Sequence, residues 1–223
     1  MIERTMIVDS MTHEEVYKEL ERDRENISKW LYHQMNAQRR RIIKCKRFPL
    51  NIWLDHTTPR KVRYLVNIVV YEKKMAFMTA VYALRNTKDG IAVYVSWPTG
   101  TTEIKPMVHL PHQIQRYAER AGVKKNGIEL IKHFLERCPD GMDNANQDIV
   151  GKSVRYKGMN HLSCCIPEGV LLGQMEDNIY VVHTFITYDM CGVIQKESFE
   201  KSKSKIVTGK DYYKIAKPTY FNV

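Results

Sequence analysis

A histidine and two arginines recur at four-residue steps in HLPHQIQRYAERAGVKKNGIELIKHFLER, the stretch running from residue 109 to residue 137: His112, Arg116 and Arg120. On a helix, four-residue steps keep side chains on one side, drifting by about 40° per step. Ile114, Tyr117, Ala118 and Ala121 follow i, i+3, i+4, i+7 spacing and form a stripe on the opposite side. One face can therefore pack on a core while the His-Arg-Arg row meets an anion. Phosphoryl transfer needs such parts. A proton acceptor must titrate near the working pH, and fixed cations must hold the phosphate oxygens. Histidine, with an unperturbed pKa of about 6.5, supplies the first, and arginine the second. The competing reading is a solvated polar face with Arg116 and Glu119 as surface neighbours.

His183 and Thr184 interrupt IYVVHTFI, residues 179–186, an otherwise apolar run. A histidine there must be solvated or hydrogen-bonded, because an unpaired buried polar group is costly. If this strand packs beside the helix, both residues come near the cation row; otherwise His183 is a satisfied core histidine. His109 and His112 could form half of a metal site, completed by His133, His161 or a cysteine. Their spacing of three with Pro111 between them is poor for that, and no metal is expected. Cys164 and Cys165 are adjacent in a strand and point to opposite faces, which disfavours shared ligation. No GxxxxGK[ST], GxGxxG or GxSxG appears. That argues against a P-loop ATPase, a Rossmann oxidoreductase and a typical α/β-hydrolase, and no cofactor is expected.

The elements that must position these residues follow from patterning. Ser10 or Thr12 can cap a helix with Glu14 and Glu15 in its first turn. No Pro or Gly then interrupts the chain to about Lys46, so one long helix is predicted. Its end carries Arg39, Arg40, Arg41, Lys44, Lys46 and Arg47. Cations there complement the helix dipole, but six within nine residues exceed what capping requires. They read either as a nucleic-acid contact or as a solvated basic face. The segment 48–60, with two prolines, reads as a connector. Strands are predicted over 62–71 and 91–97, with 75–84 a strand or buried helix, giving a three-stranded meander. Pro111 and Gly122 bound a helix, and a second runs from about 127 to 137. Residues 139–148 read as a polar loop. Short strands follow at 161–166 and 169–173, then the convincing apolar strand at 179–186. A Lys-rich, weakly helical tail closes the chain.

The expected fold class is α+β: a long N-terminal helix, an antiparallel meander, then two helices packed on an antiparallel sheet. The expected organisation is 1–47 as helical extension, 48–104 as β-rich segment, 105–195 as helix-plus-sheet unit and 196–223 as basic tail.

The 223 residues have ordinary globular composition and a formal charge of +10. Such a charge favours polyanionic partners, with RNA expected ahead of DNA, or else merely keeps the protein soluble. No apolar run approaches the roughly 18 residues a membrane span needs, so no membrane association is expected. MIERTMIVDS lacks the features of a secretory signal. Five cysteines without a CxxC pair fit reduced thiols, so a cytoplasmic location is expected.

PHQIQRYAERAGV, followed by a second helix, a short strand, the Gly-containing IPEGVLLG and then VVHTFIT, resembles the superfamily grouping barnase, EndoU, colicin-type tRNases and RelE-like toxins. The resemblance covers about residues 109–190. It implies metal-independent RNA cleavage by general acid–base chemistry in a protein of phage or mobile-element origin. It would make His112 the base or acid, Arg116 and Arg120 the phosphate holders, and His183 with Thr184 the strand-side partners. The alternatives are a non-catalytic nucleic-acid-binding protein, and a structural or interaction protein that forms homo-oligomers through its N-terminal helix.

Overall fold

The computed structural model describes residues 7–73, 77–98, 106–138 and 161–192. Among them, four helices and eight mostly antiparallel strands divide into two compact units. The predicted polar loop at 139–148 and the Lys-rich tail lie outside the described residues.

The first unit holds helices α1 (His13–Glu21) and α2 (Arg24–Lys44) and strands β1 (Leu50–Thr57) and β2 (Arg63–Val70). It also holds most of β3 (Phe77–Thr87) and the later half of β4 (Gly90–Pro98); 86–93, at their turn, belong to the second unit. Thr12 caps α1 in a reciprocal box with Glu15, which satisfies two of the backbone donors orphaned at the helix start. The single long helix predicted for this region is two. The chain turns at Asp23, whose carboxylate is buried and accepts from Thr58 Oγ1 at 3.0 Å and Tyr64 Oη at 3.1 Å, with Arg60 Nε 3.3 Å away. No local sequence signal marks this break, because the partners come from 35 to 41 residues downstream.

The predicted connector at 48–60 is instead largely strand β1. Its prolines, Pro49 and Pro59, flank the strand rather than interrupt it, so no ladder donor is lost. It pairs antiparallel with β2 from Leu50↔Val70 to Thr57↔Arg63. The meander thus has four strands in the order β1-β2-β3-β4, not three. Tyr64, Leu65, Val66 and Ile68 of β2 are fully buried, as expected of a strand with neighbours on both sides.

The second unit runs through β5 (Met107–His109), α3 (Pro111–Arg120), α4 (Gly127–Leu135), β6 (His161–Ile166), β7 (Gly169–Glu176) and β8 (Ile179–Thr187). Its strands lie in the order β5-β8-β7-β6. β6, β7 and β8 are antiparallel, but β5 runs parallel to β8, so this sheet is mixed rather than purely antiparallel. Asp177 and Asn178 adopt positive φ in the two-residue turn between β7 and β8, a conformation these residue types tolerate. Gly122, at φ 67°, leaves α3 in the left-handed region, as a helix C-terminus favours.

Helix α3 packs on β8. Tyr117 meets Phe134 and Phe185 edge-on, with centroids 5.2 and 5.3 Å apart. Each such pair adds about 0.5–1.5 kcal/mol beyond burial alone. The register slips between Leu172 and Gly173: Gly173 faces Val182 and Leu172 faces Thr184, leaving His183 as the extra residue. Such a bulge re-aims side chains at the point where it occurs.

Candidate functional site

Helix α3 turns the sides the spacing predicts. Ile114 and Tyr117 are buried, while His112 and Arg116 are exposed and Arg120 is half-buried. His112 stands in the first turn, directly after Pro111. Arg116 Nη1 donates to Thr184 Oγ1 at 2.8 Å, so helix and strand bring these two residues together. Arg120 also reaches β8, but its Nη1 donates to the carbonyl oxygen of Phe185. The expected row of outward cations is therefore divided. Arg120 is committed to the strand backbone, and Arg116 keeps donors beyond the one Thr184 accepts.

His183 stands apart from that row. Its Nε2 lies 3.2 Å from Glu176 Oε1, and both side chains are partly exposed. No hydrogen bond or ion pair joins it to His112, Arg116 or Arg120 among the described residues. The bulge and the neighbouring carboxylate on β7 account for this: His183 turns to an acid on its own sheet rather than to the helix.

At the end of α2, Arg39, Arg40, Arg41, Lys44, Lys46 and Arg47 are all exposed, and none forms an ion pair among the described residues. The earlier helical cations differ. Lys18 pairs with Glu14 at 2.7 Å, Arg22 with Glu19 at 2.6 Å, Arg24 with Glu21 at 2.8 Å and Lys29 with Glu25 at 2.6 Å. Among the described residues, positive charge is offset along the start of this segment and not at its end.

A further group of polar side chains lies between α3 and α4, where sequence reasoning weighed His109 and His133 only as parts of a metal site. His109 is fully buried. Its Nδ1 is 3.2 Å from Gln113 Oε1, and its Nε2 is 4.0 Å from Cys138 Sγ. Burial drives the His109 pKa down to about 4, against a smaller opposing effect of the Gln113 bond. Tyr117 Oη is 3.2 Å from His133 Nδ1, and Arg137 pairs with Glu168 nearby. Burial, reinforced by Glu168, pushes the Tyr117 hydroxyl up to about 12. Burial, helped by Arg137 and Lys125, lowers the His133 pKa. The i, i+4 spacing of His109 and Gln113 was a visible signal. Nothing near Cys138 in sequence marked its place beside an imidazole 29 positions earlier.

Of the two histidines considered as half of a metal site, His109 is fully buried and His112 exposed. Among the described residues no group of three or more His, Cys, Asp or Glu side chains could hold a metal ion. No helix of the described residues is long and apolar enough to cross a membrane. No protein-family model, no curated protein and no solved structure matches the chain.

Proposed function

We propose that the protein is nucleic-acid-directed and binds RNA through the end of α2. The observation that carries this reading is the contrast along the helical segment. Four earlier cations are each offset by a carboxylate, whereas the six at the α2 terminus form no ion pair among the described residues. Opposing carboxylates would have to be displaced before a phosphate could bind; among the described residues none pairs with these six. Lysine and arginine at this density release condensed counterions when they meet a phosphate backbone, which drives sequence-independent binding. The overall charge of +10 adds long-range attraction. The test is RNA binding by the purified protein across a salt series. Affinity that falls steeply with salt, and that weakens when Arg39, Arg40 and Arg41 are neutralised together, supports the reading. Affinity indifferent to either overturns it.

A second reading adds chemistry in the second unit: metal-independent RNA cleavage of the kind the 109–190 resemblance implies. The observation favouring it is the Arg116–Thr184 contact beside an exposed His112. In this reading the 2′-hydroxyl attacks the adjacent phosphorus and His112 takes or returns the proton. Arg116 steadies the charge of the phosphorane, and Thr184 aligns the guanidinium. Arg120 and His183 move from direct participants to supports, because each is engaged by a protein partner. Incubation with RNA in EDTA, beside the His112→Ala variant, separates cleavage from binding. Cleavage that survives in that variant, or that stops with the chelator, removes this second reading. A phage or mobile-element origin and self-association through the N-terminal helices remain part of the proposal only through the resemblance and the exposed Tyr32 and Ile43 on α2.

A further inference from the structure

We infer, on the basis of the RNA-binding reading above, that the RNA held at the end of α2 is single-stranded, with one base stacked on Tyr32 and adjoining phosphates on Arg39 and Arg40.

Four large hydrophobic side chains are exposed among the described residues. Two of them, Tyr32 at 57% and Ile43 at 55%, stand on this one helix. They also share a side of it. Steps of four, three and four place Tyr32, Asn36, Arg39 and Ile43 within about 60° of one another on a helix of 3.6 residues per turn. All four are exposed, and Arg40, also exposed, borders the line they form. That line lies about a quarter turn from the side on which Leu31, Met35 and Ile42 are buried. Packing of α2 on the first unit accounts for the buried side and not for this one. Isolated apolar residues on a surface are ordinary. An aromatic and an aliphatic side chain aligned with a cation between them form a composite surface, apolar and positive at once.

The surroundings of the ring set Tyr32 apart from Trp30. The Trp30 indole already stacks on His56, with centroids 4.3 Å apart and planes at 17°. Tyr32 meets the ring of His33 at a steep angle, 74°, with centroids 5.9 Å apart, and among the described residues no ring stacks on it. Every base has a π-face, so an open ring beside cations takes a base of any identity while the cations hold the backbone. Single strands are bound in this way. Arg39 lies about 10 Å along the axis from Tyr32 and Ile43 about 16 Å, so the line has room for more than one nucleotide.

A duplex has no use for these groups. Its bases are stacked on one another, and it is recognised mostly through its shape, its 2′-hydroxyls and its phosphates. A second copy of the chain is the other occupant that would cover Tyr32 and Ile43. An interface spanning both would enclose Arg39 of each copy, and like charge opposes that.

The test is fluorescence anisotropy on the full chain with two labelled probes, a mixed-sequence RNA strand and the same strand annealed to its complement, over one salt series. Cations alone favour the duplex, whose charge density is higher. The single strand is instead expected to bind more tightly, by about tenfold. Tyr32→Ala is expected to weaken single-strand binding by about five- to 150-fold, the range for losing one stacked base. Its slope of log K against log salt and its duplex affinity should stay as they were, because stacking releases no counterions. Tyr32→Phe keeps the ring and should keep the affinity. A duplex bound as tightly as the strand, or a Tyr32→Ala chain that binds the strand like the parent, overturns the inference. If binding still falls steeply with salt in that case, the RNA reading itself stands. Failure to bind either probe overturns both. Sedimentation of the same chains covers the remaining outcome: a homodimer that Tyr32→Ala dissociates, with strand affinity unchanged, overturns the inference and assigns this side of α2 to a second copy.

Discussion

Arg116 donates to Thr184 at 2.8 Å across 68 positions of sequence, joining the exposed side of α3 to β8. The threonine hydroxyl fixes the direction of a guanidinium whose remaining donors are left for another acceptor. If the second unit cleaves RNA, the two partners should not be equivalent. Arg116→Ala should lower the metal-free rate by about 10²-fold, the usual consequence of removing a fixed donor to developing charge. Thr184→Val should cost about five-fold, the worth of one solvent-exposed hydrogen bond of about 1 kcal/mol. Single-turnover cleavage of a labelled RNA in EDTA measures both.

The α2 terminus makes a quantitative prediction about salt. Each phosphate neutralised by a cation contributes about 0.9 to the slope of log K against log salt on a duplex and about 0.7 on a single strand. Replacing Arg39, Arg40 and Arg41 by Ala should therefore reduce that slope by about 2 to 3. Replacing Lys18, Arg22 and Arg24, which already face carboxylates, should change it by less than one phosphate's worth. Fluorescence anisotropy over a salt titration distinguishes the two sets.

Asp23 organises the first unit. Its carboxylate receives two hydroxyls and faces Arg60, which also pairs with Glu19. Asp23→Ala would remove the carboxylate to which Thr58 and Tyr64 both donate and leave Arg60 with one acid fewer. Removing one partner from a buried charged group costs about 3–5 kcal/mol. Urea denaturation should report a loss of that order, with a smaller one for Asp23→Asn, which keeps an acceptor oxygen.

His109 predicts a pH dependence of stability. Its folded pKa of about 4 lies below the unfolded value, so between the two the unfolded chain binds the additional proton. Stability is full above about pH 6.5 and is lost as pH falls towards 4, by about 3 kcal/mol in total. His56 and His133, also lowered by burial, add smaller changes of the same sign. Denaturation midpoints compared at pH 7.5 and 4.5 should show the loss, and His109→Gln should flatten most of it.

Gly169 begins β7 where no side chain fits. A Cβ there would press on the Ile186 carbonyl oxygen and come within 2.8 Å of the Phe185 ring. Gly169→Ala should destabilise the second unit by about 1–3 kcal/mol, the cost of an overpacked site. Thermal unfolding checks it.

Local pattern made much of the fold legible. The stripe through Ile114 and Tyr117 set the faces of α3, the alternation in 62–71 gave β2, and the apolar run at 179–186 gave a strand flanked on both sides. What stayed hidden depends on distant partners. Nothing between His13 and Lys44 announces a break, since Asp23 is held by Thr58, Arg60 and Tyr64. β1 was obscured because its prolines resemble loop punctuation until Val70 is seen opposite Leu50. In the site, period alone told which way His112 and Arg116 face. Whether Arg120 and His183 are available depended on the Phe185 carbonyl and on Glu176, acceptors that helical or strand period cannot locate.

The parallel pairing of β5 with β8 has a consequence for assembly. Met107 sits opposite Tyr180, so the pairing of β5 with β8 can form only after both helices and the β6–β7 hairpin have been made. Contacts of such long sequence separation form late and slowly. A nascent chain that has emerged only as far as β7 can wind α3 but has nothing to hold Arg116 in place. The Arg116–Thr184 contact is withheld until translation has passed β8.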